Sequence, residues 1–308
     1  MHCDAVDAVQ DGVRNMDTVK LSNGAITVVV ARKGAELQSL TDAERREWLW
    51  QADPTFWGRH APILFPIVGR AANDQIRIGG SDFPIGQHGF ARDRDFEVLS
   101  SGPERAGFRL IADVETRRHY PFDFELDIRF EIAGTTLYQT VTARNQGAAP
   151  MPASIGFHPG FQWPLPGASA PQTGHVVMFE REERADIRRL TGGGVDAAGY
   201  PTPVEGKILP LDASLFLEDA IIFDNLTSRS LWFGAPGSDG IRVDFPDLPY
   251  LGIWTKPGAP FLCLEPWQGH AAPAGFDGEM ADMPGMVVVP PSGSITRHIA
   301  IRIAAPAP

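Results

Sequence analysis

Cysteine is scarce in this chain: among 308 residues only Cys3 and Cys263 occur. Two distant thiols supply neither a disulfide framework nor the tight Cys/His spacing of a structural zinc site. Cys263 lies in an apolar run with no basic residue beside it to lower its pKa, so it reads as a small core residue rather than a nucleophile. Long hydrophobic runs are missing as well, and no stretch approaches the roughly 20 apolar residues that span a bilayer. The N-terminus, Met1-His2-Cys3-Asp4-Ala5-Val6-Asp7, is acidic where a secretory leader is basic, and no apolar segment follows it. A cytoplasmic location is the expectation. Positive charge is in deficit, with 27 Lys+Arg against 38 Asp+Glu and a formal net charge of -11. That balance repels phosphate backbones and anionic lipid, so neither nucleic acid nor membrane is an expected partner.

Several familiar chemical motifs are absent. There is no Gly-x-x-x-x-Gly-Lys phosphate loop, no His-Glu-x-x-His helix and no Gly-x-Ser-x-Gly elbow. Gly192-Gly193-Gly194 lacks the strand-and-helix context of a dinucleotide site and reads as a flexible tip. No cofactor and no metal are expected, which leaves side-chain acid–base work as the simplest catalytic option.

What the chain has in quantity is glycine (32) and proline (27), spread along its whole length. Between them lie short β-branched and aromatic segments: 25–30, 108–112, 124–132, 136–142, 176–179, 220–223, 230–233, 241–245, 251–254, 261–264, 286–289 and 296–303. The segment Phe124–Ile132 alternates apolar and charged residues, the period of a strand with one wet face. Helical periodicity is thin. Its best case is a short stretch over Asp42–Trp50, with Asp42 as the cap. Many short strands with turn signals between them predict an all-β, antiparallel β-sandwich, in a single domain over 1–308 with a loose N-terminal arm at 1–17. The segments 167–173 and 192–206 read as long surface loops.

Three segments place titratable residues among glycines, prolines and aromatics. One runs Pro66-Ile67-Val68-Gly69-Arg70 and continues at Gln87-His88-Gly89-Phe90-Ala91-Arg92. The others are Gly156-Phe157-His158-Pro159-Gly160 and Cys263-Leu264-Glu265-Pro266-Trp267-Gln268-Gly269. Aromatic faces suit the C–H face of a sugar ring, and charged groups bond its hydroxyls. His2, His60, His119, His175, His270 and His298 have no such context and read as structural. Glu265 closes an apolar run, where an idle carboxylate is costly, and so reads as functional.

Together with Gly34-Ala35-Glu36-Leu37-Gln38-Ser39-Leu40 and Trp48-Leu49-Trp50, these segments resemble the aldose 1-epimerase (galactose mutarotase-like) family. The match is nearer its bacterial mutarotase-like and glucose-6-phosphate 1-epimerase branch, and it runs almost end to end. The resemblance implies a large, twisted sandwich with few short helices and a cleft on one face. It implies Glu265 as catalytic base, His158 as acid, and His88 and Arg70 as sugar-holding groups. Asp219 is the chosen match for the family's substrate-binding aspartate, and Arg92 and Trp267 complete the expected contacts. Two departures are visible: His270-Ala271-Ala272-Pro273 and Met283-Pro284-Gly285-Met286 stand where relatives often carry an aspartate and a lysine. Both bear on substrate choice rather than on the acid–base pair.

Anomer interconversion needs only proton traffic, and the expectation is that Glu265 works ionised and His158 as imidazolium. Arg70 and Arg92 together could instead grip a sugar phosphate, although Arg92 has Asp93 and Asp95 close by as partners. The free sugar is the favoured reading. A non-catalytic carbohydrate-binding or sugar-sensing protein on the same sandwich is the rival, and it would have no use for a matched acid and base. A monomer or homodimer is expected.

Overall fold

A computed structural model describes residues 17–306. Nearly all of the expected N-terminal arm, with His2 and Cys3, lies outside the described residues. Strand Phe124–Ala133 buries Phe124, Leu126, Ile128, Phe130 and Ile132, the apolar half of its alternating pattern. It turns at Gly134, whose φ of 54° admits glycine readily, into Thr136–Asn145. These two strands lie in a nine-stranded antiparallel sheet. Its spatial order is Ile208–Pro210, Val176–Phe179, Ser230–Gly234, Gly240–Asp244, Ser294–Ala304, Thr136–Asn145, Phe124–Ala133, Arg105–Ile111 and Glu97–Ser101.

A smaller sheet carries the cleft. Its order is Ile221–Phe223, Tyr250–Trp254, Phe261–Trp267, Gly156–Phe157 and Ile63–Leu64, with Gly160–Gln162 also paired to Phe261–Trp267. Leu251, Ile253, Leu262 and Leu264 of this sheet and Leu126, Ile128 and Val141 of the large one join a single apolar core. Burying such faces against each other supplies the main driving force for the sandwich. A three-stranded sheet, Thr18–Ser22, Ile26–Ala31 and Leu37–Asp42, adds Val28, Val30 and Leu37 to the same core.

Local expectations fared unevenly. No helix forms over Asp42–Trp50. Asp42 ends a strand, and its carboxylate accepts from Arg46 N (2.9 Å) and Trp48 Nε1 (3.0 Å), which closes a tight reversal. Trp48 N then bonds back to Leu40 O, so the segment returns as extended chain. The α-helix among the described residues is Val114–His119, capped reciprocally by Asp113 and Thr116. Six residues are too few for helical periodicity to register. The segment 192–206 is not simply a surface loop either. Leu190–Thr191 pairs with Gly194–Val195, and this small hairpin is tied to Ala272 and Ala274 by Val195 N and O. No helix among the described residues is long and apolar enough to cross a membrane.

Candidate active site

The strand Phe261–Trp267 runs on past the apolar segment, so Glu265 lies inside it rather than at its end. Its neighbour pairs Gly160 with Cys263 and Gly156 with Trp267 in one continuous register. The residue between them, His158, therefore stands directly across from Glu265, on the same face of the sheet. Leu264 N donates to Pro159 O (3.1 Å) and holds the two strands together at this point. The other neighbour places Gly252 opposite Glu265. A Cβ at Gly252 would come within 2.3 Å of the Trp267 indole, so glycine there is the seat of that ring.

His158 Nε2 and Glu265 Oε2 are 3.1 Å apart, and both side chains are buried. Burial pushes the His158 pKa down to about 3, with Arg92 adding to the fall. Burial pushes the Glu265 carboxyl well above its ordinary range, and the charge of Asp219 adds to the rise. The Trp267 indole N–H leans toward Glu265 and offsets part of that rise, without closing to hydrogen-bond geometry. Both shifts favour the same protonation, a carboxylic acid facing a neutral imidazole. The expected carboxylate and imidazolium differ from it by one proton moved across this contact.

The pair opens onto a cleft of about 530 Å³. Arg70, His88, Arg92, His158, Asp219, Glu265 and Trp267 all line it, so every residue singled out from sequence is brought together. His88 and Gly89 are consecutive left-handed residues with φ of 65° and 71°. A Cβ at Gly89 would meet Phe65 O at 2.1 Å, which explains glycine there. Gly69 N donates to His88 Nδ1 (3.0 Å), which fixes the neutral ring's proton on Nε2. Burial holds the His88 pKa well below its usual value. His88 is thus a neutral donor.

The two arginines differ. Arg70 is half exposed at the rim, and Asp74 grips it bidentately at 2.6 Å through Nε and Nη2. Arg92 is 17% exposed and keeps one of the two expected acids, Asp93, at the long end of an ion pair. Asp95 is taken by Arg32 (3.0 Å), and Asp93 by Arg59 (2.7 Å), which leaves Asp93 3.9 Å from Arg92 Nε. Arg92 Nη2 donates to Gln87 O (2.6 Å), while its Nε has no hydrogen-bond partner. Burial first, and the charge of Arg59 second, lower its pKa to about 10. Asp219 sits at φ 66°, with Oδ1 accepting from Ala220 N (2.8 Å).

Trp57, Gln87, Gly193, Ile222 and Trp254 also line the cleft and were not singled out. Trp57 stacks on His158 with centroids 4.8 Å apart. An aromatic before a glycine, Trp57-Gly58, was the available signal. For Gly193 there was none, because only the folded hairpin carries it to the cleft. His60, His119, His175, His270 and His298 do not line the cleft. His175 is typical of them: Nε2 accepts from Leu165 N (3.1 Å) and Nδ1 contacts Pro171 O (3.0 Å).

Sandwich and cleft define the class first, a large antiparallel fold of the galactose mutarotase-like kind. An aldose 1-epimerase profile matches residues 17–279. The chromosomal protein LacX of Lactococcus lactis subsp. lactis is 33% identical over 296 residues, covering 93% of this chain and 99% of that protein. A galactose mutarotase related enzyme from Lactobacillus acidophilus superposes with a TM-score of 0.87 at 30% identity, covering 94% of this chain and 98% of that one. A galactose mutarotase-like protein from Lactobacillus casei gives 0.85 at 30% identity, over 92% and 99%. The chain belongs to the aldose 1-epimerase family, and its enzyme class is isomerase.

Proposed function

We propose that this chain interconverts the α and β anomers of a hexose by general acid–base ring opening at Glu265 and His158. The observation that carries the reading is the in-register pair at the cleft floor, 3.1 Å apart. Groups this close can face two oxygens borne by one carbon, the C1 hydroxyl and the ring oxygen. Carboxylate Glu265 takes the C1 hydroxyl proton while imidazolium His158 protonates the ring oxygen, and the C1–ring-oxygen bond breaks. The products are the open-chain aldehyde, a carboxylic acid and a neutral imidazole, the protonation that burial favours. Rotation about C1–C2 presents the other carbonyl face. The two protons then return, with no net uptake or release.

His88 Nε2–H and Asp219 supply a donor and an acceptor for ring hydroxyls, and Trp267 an apolar wall. Arg70 serves at the rim. A phosphorylated hexose is the second reading, and one observation favours it: Arg92 is a largely covered cation on the cleft whose acid partner, Asp93, lies 3.9 Å away and is held more closely by Arg59. The test is anomer exchange by NMR on glucose, galactose and glucose 6-phosphate with the wild type, Glu265→Gln and Arg92→Met. Full activity in Glu265→Gln would sink the acid–base assignment. A loss in Arg92→Met confined to glucose 6-phosphate would favour the phosphate reading over the free sugar.

A further inference from the structure

Cys263 has no part in the proton traffic, yet it shares a face with Glu265 two residues on, and His158 stands across from Glu265. The ligating atoms of His158, Cys263 and Glu265 all lie within 4.8 Å of one another, and all three residues are buried. We propose that these three side chains form a binding site for a thiophilic divalent cation of the zinc class, occupied in mutual exclusion with the sugar. One imidazole nitrogen, one sulfur and one carboxylate oxygen make the donor set that zinc and cobalt(II) favour. A tetrahedron built on bonds of roughly 2.0–2.2 Å has edges of about 3.3–3.6 Å, so the 3.1 Å separation of Nε2 and Oε2 needs to open by a few tenths of an ångström to seat the ion. His158 and Glu265 both line the cleft, so a water ligand would complete the shell from that side.

The charges balance. A dication that binds thiolate and carboxylate leaves a neutral site, which a buried position tolerates, and two protons pass to solvent. His158 contributes the Nε2 lone pair. The ligands come from two strands distant in sequence, which is why no Cys/His spacing reveals them. Occupation removes base and acid together, so the cation is an inhibitor rather than a cofactor.

The test uses the whole chain with cobalt(II) alone and zinc(II) alone. Cobalt(II) is expected to give a thiolate-to-metal charge-transfer band that one equivalent of zinc(II) removes, and zinc(II) is expected to slow anomer exchange in competition with sugar. Cys263→Ala and Cys263→Ser are expected to keep basal exchange, lose the band, and bind zinc at least about 10–100-fold more weakly. No band with saturating cobalt(II), or variants as zinc-sensitive as the wild type, would overturn the site. The band needs no turnover. A chain that bound cobalt(II) through sulfur but exchanged no anomers would refute the mutarotase reading and leave this one standing.

Discussion

His158 and Glu265 face each other across adjacent antiparallel strands, Nε2 to Oε2 at 3.1 Å, in a register fixed on both sides by Gly156–Trp267 and Gly160–Cys263. The two groups are thereby close enough to pass one proton between them. Either one alone is a lone buried group without its proton partner. Glu265→Gln and His158→Asn are each expected to cost about 10²–10⁴-fold in kcat/KM. The double variant is expected to cost little more than the worse single one, because the pair acts as a unit. A double-mutant cycle on anomer exchange reads this directly. Multiplying single losses would show two independent groups.

The pH profile follows from the same pair. A histidine with an ordinary pKa would make activity change near 6.5. Burial and Arg92 move that protonation down to about 3. The pair therefore gains a second proton only at far lower pH, and kcat/KM is expected to stay level as pH falls through 6.5. On the alkaline side the pair loses its single proton through Glu265, whose pKa is raised, so the decline begins above the usual carboxylate range. Rates measured in overlapping buffers decide this, and an acid limb centred near 6.5 would contradict it.

Replacing Glu265 should raise stability where it removes activity. Glu265 has a folded pKa raised above its unfolded value, so the folded chain holds a proton that the unfolded chain releases. That contribution is fully present below the ordinary value near 4.5 and is lost as pH rises towards the folded pKa. A glutamine carries no such proton. Glu265→Gln is expected to melt higher than the wild type at alkaline pH, by a margin that shrinks as pH falls towards 4.5. Calorimetry across pH checks it. An equal Tm difference at every pH would remove the linkage.

Which parts were legible in the sequence has a physical pattern. Strands such as Phe124–Ala133 announce themselves because one face is wet, whereas Phe261–Trp267 is buried at every residue and shows no alternation. Glu265 was visible as a polar residue in that run, but its register with His158 depends on pairing between distant segments. The reversal at Asp42 looked helical because an acid before Trp48 caps turns of many kinds. The acids beside Arg92 were half legible for a related reason: Arg32 arrives from elsewhere and takes Asp95, and Arg59 takes the shorter contact to Asp93, which Arg92 shares at 3.9 Å. Protonation was the least legible feature, since it follows from burial and from Arg92 and Asp219, none adjacent in sequence.

Gly252 offers the sharpest structural test of the cleft wall. It pairs with Glu265, and its missing side chain leaves the space into which the Trp267 indole fits. An added methyl would lie 2.3 Å from the ring's far edge and 2.4 Å from the adjacent carbon. The ring is itself buried, against Leu64, Val68 and Ile222, and has little room to retreat. Gly252→Ala is therefore expected to destabilise the fold by about 1–3 kcal/mol, the usual cost of overpacking. It should also shift the indole towards the cleft and weaken sugar binding, with KM rising more than kcat falls because neither Glu265 nor His158 is removed. Urea unfolding and steady-state exchange kinetics measure the two effects. A variant with unchanged stability and unchanged KM would mean that Trp267 has a second place to sit.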